Sequence, residues 1–312
     1  MKICMLDCGQ FINDSKLLDP LRKYGEVSVY QEMPETVDEL VNRAHEADVV
    51  AFAVTQIGRE AIDRLPNLKM VQFIGTGMWN FVDVDYAESK GIAVRNIDAY
   101  GSNAVAEFAL AMTFALMRNI VRAVNIVKSG AWDLSGMEGS EIAGSTVGVV
   151  GTGSIGRLVA EKFIALGANV VANDIFESDY LKEKYNIEYL PLDELFRRSD
   201  IVTLHMKVTK ENEKIINSKL FSIMKKNSLF INVARAELVD LDDLYEALTV
   251  GNLGGAAIDV YSCEPLGELD TKLTKLPNVI CTPHIGFYSK QANDNSIRMS
   301  VDSIVKYLEE IC

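Results

Sequence analysis

TVGVVGTGSIGRLVAEKFIAL, residues 146–166, is the stretch of this chain that decides its fold. Residues 146–152 are a compact apolar run that predicts a strand, and a helix is predicted to follow and to continue through Leu166. Between them lies a G-x-G-x-x-G pattern. Gly151 permits the tight turn, Gly153 lets a pyrophosphate approach the backbone, and Gly156 lets the helix pack closely on the strand. We therefore predict a dinucleotide-binding strand–turn–helix unit, with the N–H groups of Ser154 and Ile155 at the start of the helix facing the anion.

An acidic residue follows the next predicted strand, residues 169–173, and indicates which dinucleotide binds. Asp174 stands 18 residues after Gly156. A carboxylate there accepts hydrogen bonds from both ribose hydroxyls and repels a 2′-phosphate. No arginine or lysine occurs between Asp174 and Lys182 to neutralise such a phosphate. The sequence therefore predicts NAD rather than NADP as the cofactor.

Short β-branched runs alternate with amphipathic segments of helix length on both sides of this unit, a pattern typical of parallel sheets covered on both faces. We predict an α/β fold of two doubly wound parallel-sheet domains joined by long helices. A Rossmann cofactor domain spans residues 101–285, and a smaller flavodoxin-like substrate domain comprises residues 1–100 and 286–312. Residues 102–128 read as one long helix and residues 289–311 as the last one. In the first hundred residues, strands are expected near 2–6, 27–30, 49–53, 70–74 and 92–95, and helices near 15–24, 37–46 and 84–89.

Composition excludes several classes of function. The chain has 312 residues with a formal charge of −13, which makes a nucleic-acid or membrane-surface role improbable because an acidic surface repels both. Residues 1–10 contain Asp7 and lack the long apolar run of a secretory signal. The five cysteines are scattered without a C-x-x-C pair, and there are three histidines, so neither a disulfide framework nor a metal site is expected. We expect a cytoplasmic protein.

Three segments near the end of the chain each follow a predicted strand, and together they indicate chemistry. They bring Arg235, the Asp259–Glu264 segment and His284 to the carboxyl ends of strands, which line the ligand crevice of open α/β sheets. One cation, carboxylates and an imidazole are what hydride transfer to an anionic carbonyl compound requires. Taken singly, each residue has a structural alternative: Arg235 as a solvated surface residue, and Glu264 and His284 as turn residues.

The ordered set of motifs resembles the D-2-hydroxyacid dehydrogenase family along essentially the whole chain. That family reduces 2-oxo acids to D-2-hydroxy acids with NADH. The matching runs are Gly148–Arg157, Asn232–Arg235 with Leu238–Asp240, Gly255–Pro265, and Thr282–Gly286. The run Ala99–Glu107 is similar to the corresponding run of D-lactate dehydrogenases and their relatives.

The resemblance implies a role for each matched position. Arg235 would bind the substrate carboxylate and polarise the 2-oxo group, and His284 would be the general acid for reduction. Glu264 would hydrogen-bond the other ring nitrogen of His284. Asp259 would hold the nicotinamide carboxamide. Backbone N–H groups of Gly75, Thr76 and Gly77 would bind the carboxylate from the other domain.

Two further sets of residues are assigned on the same basis. His205, which has either a structural role or a place in the lining of the cofactor cleft, and Ala234 complete the predicted cofactor site, and Tyr100 joins the substrate site. A homodimer formed through the long helix, near residues 104–126, is also implied. Aromatic and apolar residues near the cleft favour a substrate with an uncharged side group, although they could equally belong to the core. These residues are Met78, Trp79, Phe81, Tyr100, Phe287 and Tyr288.

The chain departs from the family pattern at three places. Ala236 replaces the usual glycine after the arginine, so the turn there must tolerate a Cβ. Met206 stands where a proline often follows the histidine at His205. The loop Gly77–Val82 keeps Asn80 of the family's Gly-x-Asp-Asn-x-Asp pattern but neither aspartate. None of these changes removes a predicted catalytic group.

Other functions on the same scaffold stay open from the sequence. The principal prediction is NAD-dependent reduction of a 2-oxo acid to a D-2-hydroxy acid. A phosphoglycerate or glycerate dehydrogenase is a close alternative, and a formate or phosphite dehydrogenase is another. An alternative of a different class is an NAD(H)-sensing binding protein with little turnover, as in the related transcriptional corepressors.

Overall fold

A computed structural model of the chain describes residues 1–251, 253–264 and 266–311, with the side chain of Asn80 left aside. Pro265 and the Asn80 side chain, which the resemblance singled out, therefore lie outside the described residues. The chain divides into two compact units. Unit 1 comprises Met1–Gly101 and Tyr288–Cys312, and unit 2 comprises Ser102–Phe287.

The strands and helices follow one another in the alternation that the sequence predicts. The strands are β1 Lys2–Met5, β2 Glu26–Val29, β3 Val49–Phe52, β4 Met70–Phe73, β5 Ala93–Arg95, β6 Thr146–Val150, β7 Asn169–Asn173, β8 Glu188–Tyr189, β9 Ile201–Leu204, β10 Ser228–Asn232, β11 Leu253–Ile258 and β12 Val279–Cys281. The helices are α1 Asp19–Arg22, α2 Val37–Ala44, α3 Arg59–Asp63, α4 Val84–Ser89, α5 Ser102–Met117, α6 Ile120–Lys128, α7 Ser154–Ala165, α8 Asp179–Tyr185, α9 Leu192–Arg198, α10 Ser218–Phe221, α11 Leu241–Thr249, α12 Glu268–Thr274 and α13 Lys290–Ile311.

Unit 1 is built on a five-stranded parallel sheet in the order β2-β1-β3-β4-β5. This is the flavodoxin-like order of doubly wound folds. In the register of the sheet, Ile3 lies between Val27 and Val49. Strands β3 and β4 are buried along their whole length because both faces of the sheet are covered.

Unit 2 contains a seven-stranded parallel sheet in the order β12-β11-β10-β9-β6-β7-β8. The strand order reverses between β6 and β9, where Val149 pairs with Ala172 on one side and Thr203 on the other. In open sheets of this kind, ligands bind outside the carboxyl ends of the strands at such a reversal. Both sheets confirm the predicted α/β fold class.

The predicted long helix over residues 102–128 is wrong in one respect, because the structure has two helices there. Helix α5 ends at Met117, and α6 begins at Ile120 at 61° to it. Asn119 between them has a left-handed backbone with φ +51°, which ends a helix. No residue of α6 is buried, and Arg122 in this helix donates hydrogen bonds to the carbonyl oxygens of Ser135 and Gly136.

Residues 15–24 also differ from the single helix that is predicted there. Ser15–Leu18 form a 3-10 turn, and the α-helical part is the short α1. Pro20 stands at the start of α1 and has no N–H with which to continue the hydrogen bonding of the preceding turn. The other predicted strands and helices agree with the structure to within about two residues, as usual for element ends.

Within the described residues, no individual helix is both long and apolar enough to span a membrane. Only the bent pair α5 and α6, taken together, has that length and apolar character.

Candidate active site

The glycine-rich turn joins β6 to α7 at the point where the strand order reverses. Gly151 has φ +89°, and a Cβ there would lie 2.6 Å from the backbone nitrogen of Met206. At Gly156, a Cβ would lie 1.8 Å from the carbonyl oxygen of Gly151. The predicted reasons for both glycines therefore apply in the structure. Gly153 is exposed, with open space where a side chain would stand.

The first residues of α7 present backbone donors beside this turn. Ser154 is exposed and Ile155 half-buried, and both lie in the first turn of the helix, where N–H groups have no partner within the helix. An open glycine followed by free helical N–H groups is a cradle for an anion. These residues fit the pyrophosphate of a dinucleotide.

Asp174 directly follows β7 and faces the same turn. Its Oδ2 accepts hydrogen bonds from the backbone nitrogen of Thr152 at 2.5 Å and from Thr152 Oγ1 at 3.1 Å. Oδ1 accepts one from the backbone nitrogen of Phe176 at 3.0 Å. The Tyr189 hydroxyl donates to Thr152 Oγ1 at 2.9 Å. The carboxylate is thus fixed beside the glycine-rich turn, where the ribose of NAD would bind.

His205 follows β9 on the other side of the reversal. Its Nε2 lies 2.8 Å from Thr203 Oγ1, while its buried Nδ1 has no partner within the described part of the chain. Burial lowers the pKa of this imidazole to about 3, so the ring is neutral at pH 7. The carbonyl carbon of His205 and the nitrogen of Met206 lie against Gly151. His205 therefore packs against the glycine-rich turn without adding a positive charge to it.

Arg235 lies on the segment that follows β10. Asn232, the buried last residue of that strand, accepts a hydrogen bond from the nitrogen of Ala234 at 3.0 Å and donates one to the carbonyl oxygen of Arg235 at 2.9 Å. The Arg235 side chain is exposed and donates to the Ala234 carbonyl oxygen at 2.7 Å. It forms no ion pair with any described residue, so its guanidinium group remains available for an anionic ligand.

The departure at Ala236 has a simple outcome. Ala236 is buried and begins a 3-10 turn over Ala236–Leu238, without the positive φ that would require glycine. The segment therefore accepts a Cβ at this position.

His284 and Glu264 form a hydrogen-bonded pair. His284 Nδ1 lies 3.0 Å from both carboxylate oxygens of Glu264. The two residues follow β12 and β11, which are neighbours in the sheet. The ring of His284 also makes an edge contact with Phe287 at 6.2 Å between centroids. Since Nδ1 is occupied by Glu264, Nε2 is the ring nitrogen left for a ligand.

The backbone of His284 is left-handed, with φ +53°. For a residue other than glycine this conformation costs about 1–2 kcal/mol. Asp259, 1% exposed, holds the turn: Oδ1 accepts from Thr282 Oγ1 at 2.6 Å and from the Ile285 nitrogen at 3.0 Å, and Oδ2 accepts from the Gly286 nitrogen at 2.8 Å. Both oxygens of Asp259 are thus engaged within the protein, and its contact with the nicotinamide carboxamide stays a prediction.

In unit 1, the predicted substrate residues lie on the segments that follow β4 and β5. Thr76 Oγ1 donates to the carbonyl oxygen of Ile97 at 3.1 Å, and the Ile97 nitrogen donates to the carbonyl oxygen of Gly75 at 3.2 Å. Gly77 has φ +90° and leads into the short turn Met78–Asn80. Tyr100 is half-buried near the end of the first segment of the unit.

The aromatic residues predicted near the substrate divide between surface and core. Trp79 is 68% exposed. Phe81 is half-buried and stacks on Phe73 at 5.0 Å, in contact with the core of unit 1. The structural alternative therefore applies to Phe81, and Trp79 remains a candidate for ligand contact.

Two buried aspartates were missed by sequence reasoning. Asp7 holds the segment after β3, and Asp270 holds the loop that carries Glu264. For Asp270 the sequence offers a signal, because Gly267-x-x-Asp270 resembles a helix N-terminus with an acidic residue in its first turn. Within residues 1–251, 253–264 and 266–311, no group of three or more histidine, cysteine, aspartate and glutamate residues could hold a metal ion.

Comparison with known proteins decides the family. Residues 110–286 match the family described as D-isomer specific 2-hydroxyacid dehydrogenase, NAD binding domain. The chain belongs to this family. Hydroxypyruvate reductase of Thermotoga maritima is 34% identical over 276 residues, 88% of each protein. D-3-phosphoglycerate dehydrogenase of Methanocaldococcus jannaschii is 36% identical over 92% of this chain, which spans 54% of that longer protein.

Solved structures of the 2-hydroxyacid dehydrogenase family agree with this assignment. D-lactate dehydrogenase from Aquifex aeolicus, complexed with NAD and lactic acid, superimposes with a TM-score of 0.81 at 29% identity, over 99% of this chain and 96% of that one. The D-lactate dehydrogenase of Escherichia coli gives 0.87 at 28% identity, over 99% and 97%. The chain is thus an oxidoreductase of a family that uses NAD and acts on small 2-hydroxy or 2-oxo acids.

Proposed function

We propose that this dehydrogenase reduces a 2-oxo acid to a D-2-hydroxy acid, with His284 as the proton donor. The observation that supports the proposal is the contact of His284 Nδ1 with both carboxylate oxygens of Glu264. These two residues follow β12 and β11, which are neighbouring strands of the sheet in unit 2. Glu264 fixes the tautomer and the orientation of the ring. His284 Nε2 is then placed to protonate the oxygen of the 2-oxo group.

The reaction needs a hydride and a proton. NADH, when bound, supplies the hydride to C2 of the oxo acid. His284 gives its proton to the carbonyl oxygen, which becomes the hydroxyl group, while Glu264 holds the other ring nitrogen in place. Reduction consumes one proton for each turnover, and water restores it to His284.

Arg235 is proposed to bind the carboxylate of the substrate. A guanidinium group offers two parallel N–H donors to a carboxylate and can also polarise an adjacent carbonyl oxygen. The exposure of its side chain and the hydrogen-bonded backbone from Asn232 to Arg235 suit that role. Gly75, Thr76, Gly77 and Tyr100 are proposed as further substrate contacts.

The cofactor site is proposed to use the glycine-rich turn with its adjoining residues. Gly151, Gly153, Ser154, Ile155 and Gly156 would hold the pyrophosphate through backbone N–H groups. The ribose hydroxyls would bind Asp174, whose negative charge also disfavours NADP. His205, Ala234 and Asp259 are proposed to line the nicotinamide half of the site.

The substrate is proposed to carry an uncharged side group. The segment Gly75–Val82 contains no arginine or lysine, and the exposed side chain of Trp79 is apolar. A phosphorylated oxo acid would require cations to compensate its charge. The relatives named hydroxypyruvate reductase and phosphoglycerate dehydrogenase make glycerate and 3-phosphoglycerate chemistry the alternatives to test.

A panel of 2-oxo acids tests the proposal. NADH oxidation would be followed at 340 nm with pyruvate, hydroxypyruvate, 2-oxoisocaproate and 3-phosphohydroxypyruvate, and repeated with NADPH. We expect the highest kcat/KM with an unphosphorylated acid and NADH. Tight NADH binding without turnover of any acid would contradict the proposal and favour a sensor. A higher kcat/KM with 3-phosphohydroxypyruvate would contradict the proposed uncharged side group of the substrate but not the proposed reaction.

We also propose that the chain forms a homodimer through α6. The helix has no buried residue, although four of its residues are large and apolar. These exposed residues are Ile120, Val121, Val124 and Val127. An apolar face of this kind is typical of a protein interface. Sedimentation velocity should give a dimer for the wild type and a monomer for the double variant Val124→Glu, Val127→Glu; a monomeric wild type would contradict the proposal.

A cytoplasmic location is the last part of the proposal. Cys4 and Cys8 are free and buried in unit 1, and burial raises the pKa of both thiols. Thiols in this state suit a reducing compartment. Cell fractionation with an antibody to the chain would test the location.

A further inference from the structure

The loop that carries Glu264 is tied at both ends to one buried carboxylate. Asp270, 1% exposed, lies in the first turn of α12. Its Oδ1 accepts a hydrogen bond from the backbone nitrogen of Ser262 at 3.1 Å. Its Oδ2 accepts one from Ser262 Oγ at 2.6 Å and one from the nitrogen of Gly267 at 3.3 Å. We propose that Asp270 is a positioning residue for Glu264, an inference that rests on the proposed function.

The part of the loop that follows Tyr261 needs such an anchor because, unlike the buried Asp259 and Val260 before it, it is mostly exposed. Among the described residues between Ile258, where β11 ends, and Glu268, where α12 begins, none belongs to a strand or a helix. Cys263 is exposed, the Glu264 side chain is 44% exposed and Leu266 is 45% exposed. Segments with few buried apolar contacts open at low cost. The hydrogen bonds at the two ends of the loop therefore determine where Glu264 lies.

Asp270 is suited to this task by its chemistry. Hydrogen bonds from backbone N–H groups to a carboxylate are charge-assisted and about twice as strong as neutral ones. Because Asp270 belongs to α12, the loop is fixed to a helix instead of to another loop. Thr271 adds a second connection, since its Oγ1 donates to the carbonyl oxygen of Gly267 at 2.7 Å.

The two members of the acid–base pair are thus held by different buried aspartates. Asp259 holds the turn of His284, and Asp270 holds the loop of Glu264. Besides the contact of His284 with Glu264, the Tyr261 hydroxyl joins the two segments by donating to the carbonyl oxygen of Thr282 at 2.8 Å. The hydrogen bonds of Asp270 go to Ser262 and Gly267, on either side of Glu264, so we expect its loss to act on catalysis chiefly through Glu264.

Kinetics of Asp270→Ala in two backgrounds test this. With hydroxypyruvate and NADH, we expect kcat to fall 10- to 30-fold while the Kd of NADH, from its fluorescence, changes less than twofold. In the Glu264→Gln background, the same substitution should lower kcat less than twofold, because the group that it positions is already inactive. An equal loss in both backgrounds would overturn the inference, since a general loss of packing is additive.

Ser262→Ala is the milder variant, and it keeps the test usable where Asp270→Ala does not fold. It removes the Ser262 Oγ hydrogen bond and leaves both backbone hydrogen bonds to Asp270. We expect a two- to fourfold fall in kcat that again disappears in the Glu264→Gln background. A loss of the same size in both backgrounds would contradict the inference.

Hydrogen–deuterium exchange gives a readout that is independent of turnover. In Asp270→Ala, peptides covering residues 260–268 should exchange at least tenfold faster, while those covering residues 282–287 keep the wild-type rate. Unchanged exchange of the 260–268 peptides would overturn the inference. The proposed function fails separately, if wild-type protein reduces no oxo acid or if Glu264→Gln retains full turnover.

Discussion

The carboxyl edges of the two sheets contain the same arrangement of a buried aspartate and a neighbouring loop. In unit 1, Asp7 lies just beyond β1 and accepts hydrogen bonds from the backbone nitrogens of residues 53–55, at 2.6, 2.9 and 2.8 Å. In unit 2, Asp259 lies just beyond β11 and accepts them from the nitrogens of residues 285–286. In each case the loop follows the strand that pairs with the strand before the aspartate. That strand is β3, beside β1, in unit 1 and β12, beside β11, in unit 2.

The two loops differ in what they carry. Residues 53–55 present an exposed valine, Val54, and no ionisable side chain. The turn after β12 carries His284 with a left-handed backbone and a hydrogen bond to Glu264. A buried carboxylate thus fixes the shape of a loop in unit 1 and holds a strained imidazole in unit 2. Strain of this kind persists only where the surroundings determine the conformation.

The largest expected effect comes from removing the imidazole of His284. His284→Gln keeps a side chain of similar polarity but cannot exchange a proton at neutral pH. We expect kcat for oxo acid reduction to fall about 10³-fold, within the range typical of general acid catalysis. The Kd of NADH should change less than twofold because the glycine-rich turn is untouched. Retention of activity within tenfold of the wild type would contradict the acid–base role.

Asp259→Asn is expected to give the next largest effect. Ile285 and Gly286 donate to different oxygens of Asp259, so the amide keeps an acceptor for one of them and places its NH₂ group against the N–H of the other. Leaving a buried donor unsatisfied costs about 1–3 kcal/mol, which is comparable to the strain at His284. We expect kcat to fall about 10²-fold, with His284 released from its conformation. A crystal structure of the variant with the turn unchanged, together with wild-type kcat, would contradict this account.

Asp7→Asn is the matched change in unit 1, and it separates stability from catalysis. The loss of hydrogen bonds to residues 53–55 should lower the free energy of unfolding by about 2 kcal/mol, measured by urea denaturation. We expect kcat to change less than threefold, because no group that transfers a proton lies on this loop. A fall in kcat as large as that of Asp259→Asn would remove the distinction between the two loops.

The sequence predicted most of the fold because the pattern is strong and local. Strand β7 and helix α4 have the predicted bounds, and the glycine-rich turn follows β6 as expected. The break at Asn119 was not predicted, because the residues on both sides continue the helical composition. Only the left-handed backbone of Asn119 separates α5 from α6, and asparagine occurs in helices as well as at their ends.

The candidate site was predictable only in part. The positions of Arg235, Glu264 and His284 after strands indicated that they share one sheet edge. The anchoring role of Asp7 was not found, because its partners lie 46 to 48 residues away in sequence. Whether such a carboxylate is buried is decided by tertiary packing, which no local pattern records.

A pair of threonines gives the smallest expected effects and the closest match between the two edges. Thr55 Oγ1 donates to Asp7 at 2.7 Å, and Thr282 Oγ1 donates to Asp259 at 2.6 Å. Replacement by valine removes one hydrogen bond in each case at nearly constant volume. We expect both Thr55→Val and Thr282→Val to lower the free energy of unfolding by about 1 kcal/mol.

Activity should distinguish these two variants. Thr282→Val leaves Asp259 with fewer contacts to the turn of His284, so kcat should fall two- to fivefold. Thr55→Val should leave kcat within a factor of 1.5, because residues 53–55 hold no proton-transferring group. If both variants changed kcat equally at the same loss of stability, the two aspartates would act on their loops in the same way, and only the residues that the loops carry would differ. A selective effect of Thr282→Val would show that the carboxylate in unit 2 acts on the conformation of His284.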